Sequence, residues 1–435
     1  MHPLDNTNVE SFTIPGAKVF DRYFQCPLDY ANEATSRKIK VFVRHLVPVD
    51  KVSEMKRMPF FLYLQGGPGF ECALPSSASS GWVKVAFEKG YQVLLLDQRG
   101  TGFSTQIAAE SLEAQFHTDD EKVDYLMNFR ADSIVKDCEL IRKRLTAGRT
   151  DKEETRLTLL GQSFGGFCIL TYLSLFPKSI QNAYITGGVP PLVDDPDKVY
   201  RALYPRILKK NVLYYNKFPA DIARVQKIHK YLSTNGVTLP NGGNLSARRF
   251  LQLGLAFGGS GGYDAVHAIV QSAANDLDRL GKLSFRTLST IQTTQSWDTN
   301  VIYAILHEAI YCQNKHSSRW SAERILNEAP FSKIFEWRLE NLYDNRPIYF
   351  TGEMIYPFML DDYAELRPLK NVANRLAETR WGQLYDIHVL NNLEGVQVAG
   401  VSYFDDMYVD RKLSEHTASE VKGFQQWITN EYAHK

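Results

Sequence analysis

Five consecutive residues, Gly161-Gln162-Ser163-Phe164-Gly165, carry a pattern with chemical meaning. A serine hydroxyl is a weak nucleophile unless the backbone presents it and a base lies within reach. The Gly-x-Ser-x-Gly spacing meets the first need, because small neighbours let the chain turn sharply from strand to helix and lift the serine above a sheet. RLTLL at 156–160 reads as the strand before it, and the run from Phe167 to Leu175 as the helix after it. The chemistry implied is acyl transfer, with Ser163 as nucleophile. Acyl transfer also needs backbone N–H groups where the oxyanion forms. One belongs to the residue after the nucleophile, Phe164. The other belongs to the loop after an early strand, where FFLYLQ at 60–65 runs into Gly66-Gly67-Pro68-Gly69. Gly67 is the predicted donor, and Pro68, which has no N–H, only shapes the turn.

A base and an acid must follow. With a nucleophile on such a turn, the chain order is serine, acid, histidine. The strand-like run VQVAGVSYF at 396–404 leads into Asp405-Asp406-Met407, and of the ten histidines only His416 and His434 lie beyond it. His416 falls within a helical stretch and reads as solvent-facing. His434 follows the last strand-like run, QQWITNE, and stands 28 residues after Asp406, enough for one crossover helix and one strand. His434 is the predicted base. Neighbours on an extended segment point to opposite sides, so one of the two adjacent acids orients it and the other does not.

The elements around these residues alternate. KIKVFVRHL at 39–47 has the period of a half-buried strand, and 60–65 and 91–97 are short apolar runs feeding glycine-rich loops. Apolar positions at helical spacing cover 132–147, and NAYITG at 182–187 is a further strand. This order predicts a parallel sheet with crossover helices. After Pro190-Pro191 strand signals cease, and helices are predicted over 197–216, 220–233, 246–256 and 318–328. Gly-Gly-Ser-Gly-Gly at 258–262 follows a helix, not a strand, which argues against a phosphate loop. Asn244-Leu245-Ser246 reads as a helix start more than as a glycan acceptor. Strand character returns at PIYF, 347–350, and a helix is predicted over 412–424. The domains predicted are an α/β core over 1–190, a helical cap inserted at 191–345, and the rest of the core at 346–435.

Composition sets the class. The chain has 435 residues, 44% hydrophobic and 23% charged, with a net charge of +1. These values suit a globular protein with an insertion and give no sign of a nucleic-acid or membrane-surface partner. The N-terminus lacks a basic stretch followed by an apolar one, so no secretory signal is expected. Five scattered cysteines without a CxxC fit free thiols in a reducing, cytoplasmic setting. No metal or cofactor is required by the chemistry.

Taken together, these motifs resemble the prolyl aminopeptidase (proline iminopeptidase) family of α/β-hydrolase serine peptidases, in its larger bacterial and fungal branch. The residues that carry the resemblance are GGPG at 66–69, DQRGTGFS at 97–104, GQSFGG at 161–166, YFDDMYV at 403–409 and TNEY at 429–432. The resemblance implies the α/β-hydrolase fold, release of N-terminal proline and, in some members, other residues from peptides, and in this branch homo-oligomers. It picks Asp406, whose Asp-Met step matches the family, as the acid that orients His434. It also implies acidic side chains that hold the substrate's α-ammonium. His307-Glu308-Ala309-Ile310-Tyr311 and Gly352-Glu353-Met354-Ile355-Tyr356-Pro357 resemble the elements that supply them, which points to Glu308 and Glu353. Asp97 and Arg99 are expected to form a structural ion pair. Two departures stand out. Gln65 occupies a position where smaller members have histidine. The chain also ends one residue after His434, where relatives continue into a closing helix. The competing readings are another capped hydrolase of this fold, such as an esterase or epoxide hydrolase, and an inactive binding protein. Ser163 stands where an epoxide hydrolase has aspartate, and the intact serine, acid and histidine oppose the inactive reading.

Overall fold

The computed structural model describes residues 7–342 and 346–434. The 343–345 boundary of the predicted cap and the residue after His434 lie outside them. The chain divides into two units. One comprises residues up to Leu192 with Gly382–Ser402 and Lys412–Ile428, and the other Val193–Trp381 with Tyr403–Arg411 and the C-terminal stretch from Thr429.

The first unit is built on a sheet of nine strands. In chain order they are β1 (Thr7–Ile14), β2 (Ala17–Pro27), β3 (Lys38–Pro48), β4 (Phe60–Leu64), β5 (Gln92–Asp97), β6 (Leu157–Gln162), β7 (Ile180–Thr186), β8 (Gln397–Tyr403) and β9 (Phe424–Thr429). Across the sheet the order is β1-β2-β3-β5-β4-β6-β7-β8-β9. β1, β2, β3 and β5 pair antiparallel, and the ladders from β5 through β4, β6 and β7 to β8 are parallel. The central strands are apolar on both faces, as strands covered from both sides must be. Val93 and Leu95 of β5 join Phe61, Leu46 and Val83 on one face. Leu94 and Leu96 meet Cys138, Ile141 and Leu145 of helix Ala131–Leu145 on the other.

The DQRGTGFS segment is the frame of this unit. The predicted Asp97–Arg99 pair does not form. Arg99, fully buried, instead grips Asp137 of helix Ala131–Leu145 through two nitrogens at 2.7 and 2.6 Å. Its other donors reach the carbonyls of Pro27, Leu28 and Asn128. Burial opposes the charge, but Asp137 raises the pKa above the ordinary arginine value. The side chain of Asp97 accepts backbone N–H groups from Cys72 and Phe103, each at 2.9 Å. A methyl group at Gly102 would stand 2.2 Å from Asp97 Oδ2, so only glycine fits there.

The second unit is helical, with long helices Asp197–Lys217, Asp221–Thr234 and Gly262–Leu280. Residues 347–350 are not the strand predicted for them. Their backbone polar groups are met by side chains of helix Asp197–Lys217. Buried Asn211 bonds both the N–H and the carbonyl of Phe350, at 2.8 and 2.9 Å, and the hydroxyl of Tyr215 donates to the carbonyl of Ile348. A segment so satisfied has no need of a sheet partner. Ser246 caps helix Ala247–Leu251, accepting the N–H of Arg249, as its place in the sequence suggested. Among the described residues no helix is long and apolar enough to cross a membrane.

Candidate active site

Ser163 sits between β6 and helix Phe164–Leu175 at φ +50° and ψ −121°, a conformation strained for any residue with a side chain. Backbone bonds hold it there. Its N–H donates to the carbonyl of Thr186 at 2.9 Å, and its carbonyl accepts from Gly166 at 2.8 Å. The flanking glycines are steric necessities. A Cβ on Gly161 would lie 2.4 Å from the backbone of Gly165, and one on Gly165 would lie 2.0 Å from the carbonyl oxygen of Leu64. Gly188, which the motif does not include, approaches even more closely, with its Cβ position 1.9 Å from the carbonyl oxygen of Ser163.

The glycine loop after β4 lies against this turn. A Cβ on Gly66 would meet Ser163 Cβ at 3.1 Å and Gln162 Oε1 at 2.5 Å. Gln65 organises the loop. Its Oε1 accepts from the hydroxyl of Tyr63 at 2.8 Å and from the N–H of Gly66 at 3.1 Å, and its Nε2 donates to the carbonyl of Glu71. Gln98 then donates to the carbonyl of Gln65 at 3.0 Å, tying the loop to the DQRGTGFS frame. The Gly66 N–H is thereby engaged, and Gly67 follows it in the loop at φ +119°. Gln98 was not singled out in the sequence. Its only signal there was its place between Asp97 and Arg99.

In the second unit Asp406 Oδ2 lies 2.8 Å from His434 Nδ1. Asp406 Oδ1 accepts the N–H groups of Tyr408 at 2.8 Å and Val409 at 3.2 Å, so the carboxylate is fixed at both oxygens. The neighbouring acid points away. Asp405 is partly exposed and pairs with Lys209 at 2.7 Å. The backbone N–H of His434 donates to the carbonyl of Gly258, and its ring packs edge-on against Tyr408, with centroids 4.8 Å apart. A Cβ on Gly258 would stand 2.2 Å from the Tyr408 ring. The glycine run at 258–262 is thus a bed for this aromatic contact and the start of helix Gly262–Leu280. His416 is exposed on helix Arg411–Glu420.

Glu353 lies in the same unit as the Asp406–His434 pair, and its charge acts on His434. Its carboxylate accepts from the hydroxyl of Tyr303 at 2.5 Å and has His307 Nε2 at 4.0 Å. Burial holds His307 neutral, pushing its pKa down to about 3, so the imidazole does not balance the carboxylate. Burial raises the pKa of Glu353 in turn. Glu308 is placed differently. Its two oxygens accept the N–H groups of Ser321 at 3.0 Å and Ala322 at 2.8 Å, at the first turn of helix Ser321–Leu326. Burial lifts its pKa to about 7 against those bonds. The two acids share a neighbour, Tyr200, whose buried hydroxyl has no hydrogen-bond partner among the described residues and whose pKa both carboxylates raise after burial does. Tyr200 and Tyr303 were not singled out in the sequence, and His307 was named there only as part of the motif around Glu308.

A family model described as the alpha/beta hydrolase fold matches residues 59–289. A proline iminopeptidase of Aeromonas sobria is 41% identical over 427 residues, covering 97% of this chain and 94% of that protein. A proline iminopeptidase of Aspergillus aculeatus is 40% identical over 94% of this chain and 88% of its own length. Similarity of that depth along almost the full length, joined to the strained strand-to-helix turn at Ser163 and the sheet order, establishes that the chain belongs to the proline iminopeptidase family of α/β-hydrolases.

Proposed function

We propose that this protein is a serine aminopeptidase that releases N-terminal proline from peptides through an acyl-enzyme. In this reading His434 removes the proton of Ser163, and Asp406 holds the correct tautomer and stabilises the imidazolium. The alkoxide attacks the first peptide carbonyl, the N–H groups of Gly67 and Phe164 bind the oxyanion, and His434 protonates the leaving amine. Water then hydrolyses the ester. The five described cysteines are all buried and none is in a disulfide, which fits a reducing compartment, and we place the reaction in the cytoplasm.

The observation that carries the aminopeptidase reading is Glu353. It is a largely buried carboxylate whose one described ion-pair neighbour, His307, is neutral. A buried charge of that kind favours a cation. The protonated secondary amine of an N-terminal proline supplies one, with two N–H donors. Glu308, a buried acid engaged by Ser318, Ser321 and Ala322, is the second acceptor in this reading. Glu353→Gln and Glu308→Gln should each lose activity on a proline amide while sparing a neutral ester. A charge-assisted bond contributes roughly 1.5–3 kcal/mol, so the selective loss in kcat/KM is about 10- to 150-fold. Equal losses on both substrates would show that these acids support the fold. Full activity on both would place the amine elsewhere.

The pH profile offers a second test. Burial works to lower the pKa of His434, but the charge and hydrogen bond of Asp406, and then the charge of Glu353, carry it above the ordinary value of 6.5. A base must be neutral, so kcat/KM falls as pH drops through that raised value, and the acid limb lies above 6.5. Glu353→Gln removes one raising charge and should move the limb to lower pH. A neutral p-nitrophenyl ester isolates the effect from ionisation of the substrate amine. An unmoved limb would mean that the Glu353 charge does not act on the base.

A further inference from the structure

Helix Val301–Leu306 lies between Trp297 and His307, and all of its residues are buried. Tyr303 and His307 stand four residues apart in the chain, a spacing that puts side chains on one helical face. The Tyr303 ring packs against both aromatic neighbours, with its centroid 4.4 Å from that of Trp297 and 4.7 Å from that of His307. Held between them and only 4% exposed, it has little rotamer freedom. Its hydroxyl is thereby delivered to Oε1 of Glu353, 50 residues further along the chain, at 2.5 Å. Burial raises the Tyr303 pKa well above the ordinary value and the charge of Glu353 adds to that, so the phenol keeps its proton and donates it.

The two oxygens of Glu353 are treated unequally. Tyr303 donates to Oε1, and His307 Nε2 also stands near Oε1, at 4.0 Å, whereas Oε2 has no hydrogen-bond partner among the described residues. Glu308 differs, because backbone N–H groups of Ser321 and Ala322 engage both of its oxygens. An acid with one oxygen tied and the other untied is a directed acceptor. Without the tie, the carboxylate would turn about its last torsion, which is broad, and part of the binding energy would go into ordering it. The other ionisable groups that act on Glu353 are Tyr200, His307, Tyr408 and the Asp406–His434 pair. Burial keeps both phenols and the His307 imidazole neutral, so apart from that pair nothing charged in this set competes with the bond from Tyr303.

Building on the aminopeptidase reading, we propose that Tyr303 is a positioning residue for substrate recognition: it ties Oε1 of Glu353 and leaves Oε2 to the ammonium of an N-terminal proline. Tyr303→Phe keeps the ring and its packing and deletes only the hydroxyl. It is assayed with a proline amide and a neutral p-nitrophenyl ester on one preparation of the full chain, so any unfolded fraction cancels in the ratio. The amide-to-ester ratio of kcat/KM should fall about fivefold or more, with the larger part of the change in KM for the amide. In a Glu353→Gln background the same substitution should lower the ratio no further, because the two residues act through one bond. A residue that only supports the fold would lower both substrates alike and add its loss to that of Glu353→Gln. Either result overturns the proposal. A selective loss in Glu353→Gln with none in Tyr303→Phe overturns it while leaving the aminopeptidase reading intact. No selective loss in either variant overturns both.

Discussion

Ser163→Ala should fold normally and lose about six orders of magnitude in kcat on a proline amide, as removal of a triad nucleophile does. The fold should survive because the turn is held by backbone. The bonds from Ser163 to Thr186 and from Gly166 to Ser163 use no side-chain atom, and alanine adds no bulk. Circular dichroism and the urea midpoint should match wild type. Residual turnover would come from oxyanion stabilisation and substrate positioning alone. Retention of more than a tenth of wild-type activity would rule out Ser163 as nucleophile.

The second large effect separates two adjacent acids. Asp406→Asn should lower kcat by about 10⁴, the scale seen when the orienting carboxylate of a serine triad becomes an amide. The geometry gives the reason. Asp406 Oδ1 is committed to the N–H groups of Tyr408 and Val409, so an asparagine would keep its carbonyl there and turn its NH₂ toward His434 Nδ1. Two donors would then meet, and the imidazole would have to take the tautomer that cannot accept the serine proton. Asp405→Asn removes only partly exposed ion pairs with Lys209 and Arg206, and kcat should stay within a few-fold. If only the Asp405 variant collapses, the acid has been assigned one residue too late along the chain.

What the sequence revealed, and what it concealed, divides along the range of the interactions. The strand at 92–97 was legible because both its faces are apolar, and the nucleophile turn because its glycines answer to clashes within a few residues. Asp406 and His434 could be paired because chain order restricts the candidates to a short C-terminal stretch. The partner of Arg99 was not legible. Asp137 lies 38 residues away, and nothing in the local pattern distinguishes it from Asp97. The PIYF segment misled because extended, β-branched and aromatic residues suit a strand, whereas Asn211, 139 residues earlier, supplies its hydrogen bonds. Glu308 and Glu353 were found by resemblance, but their unequal surroundings depend on Ser321, Ala322, Tyr303 and His307, which only folding brings near.

The turn at Ser163 has a consequence for how such a protein can change. Every close contact that excludes a Cβ at Gly161, Gly165 and Gly188 includes backbone, and no rotamer change in a neighbour can relieve it. These positions are frozen, while the side chain they present contributes no bond to the turn itself. The fold acts as a socket, and the group plugged into it is interchangeable. A thiol at position 163 would pass acyl groups through a thioester, and a carboxylate would open strained rings through an ester of its own. Substitution at position 163 therefore leaves the mounting standing, whereas substitution at Gly161, Gly165 or Gly188 does not.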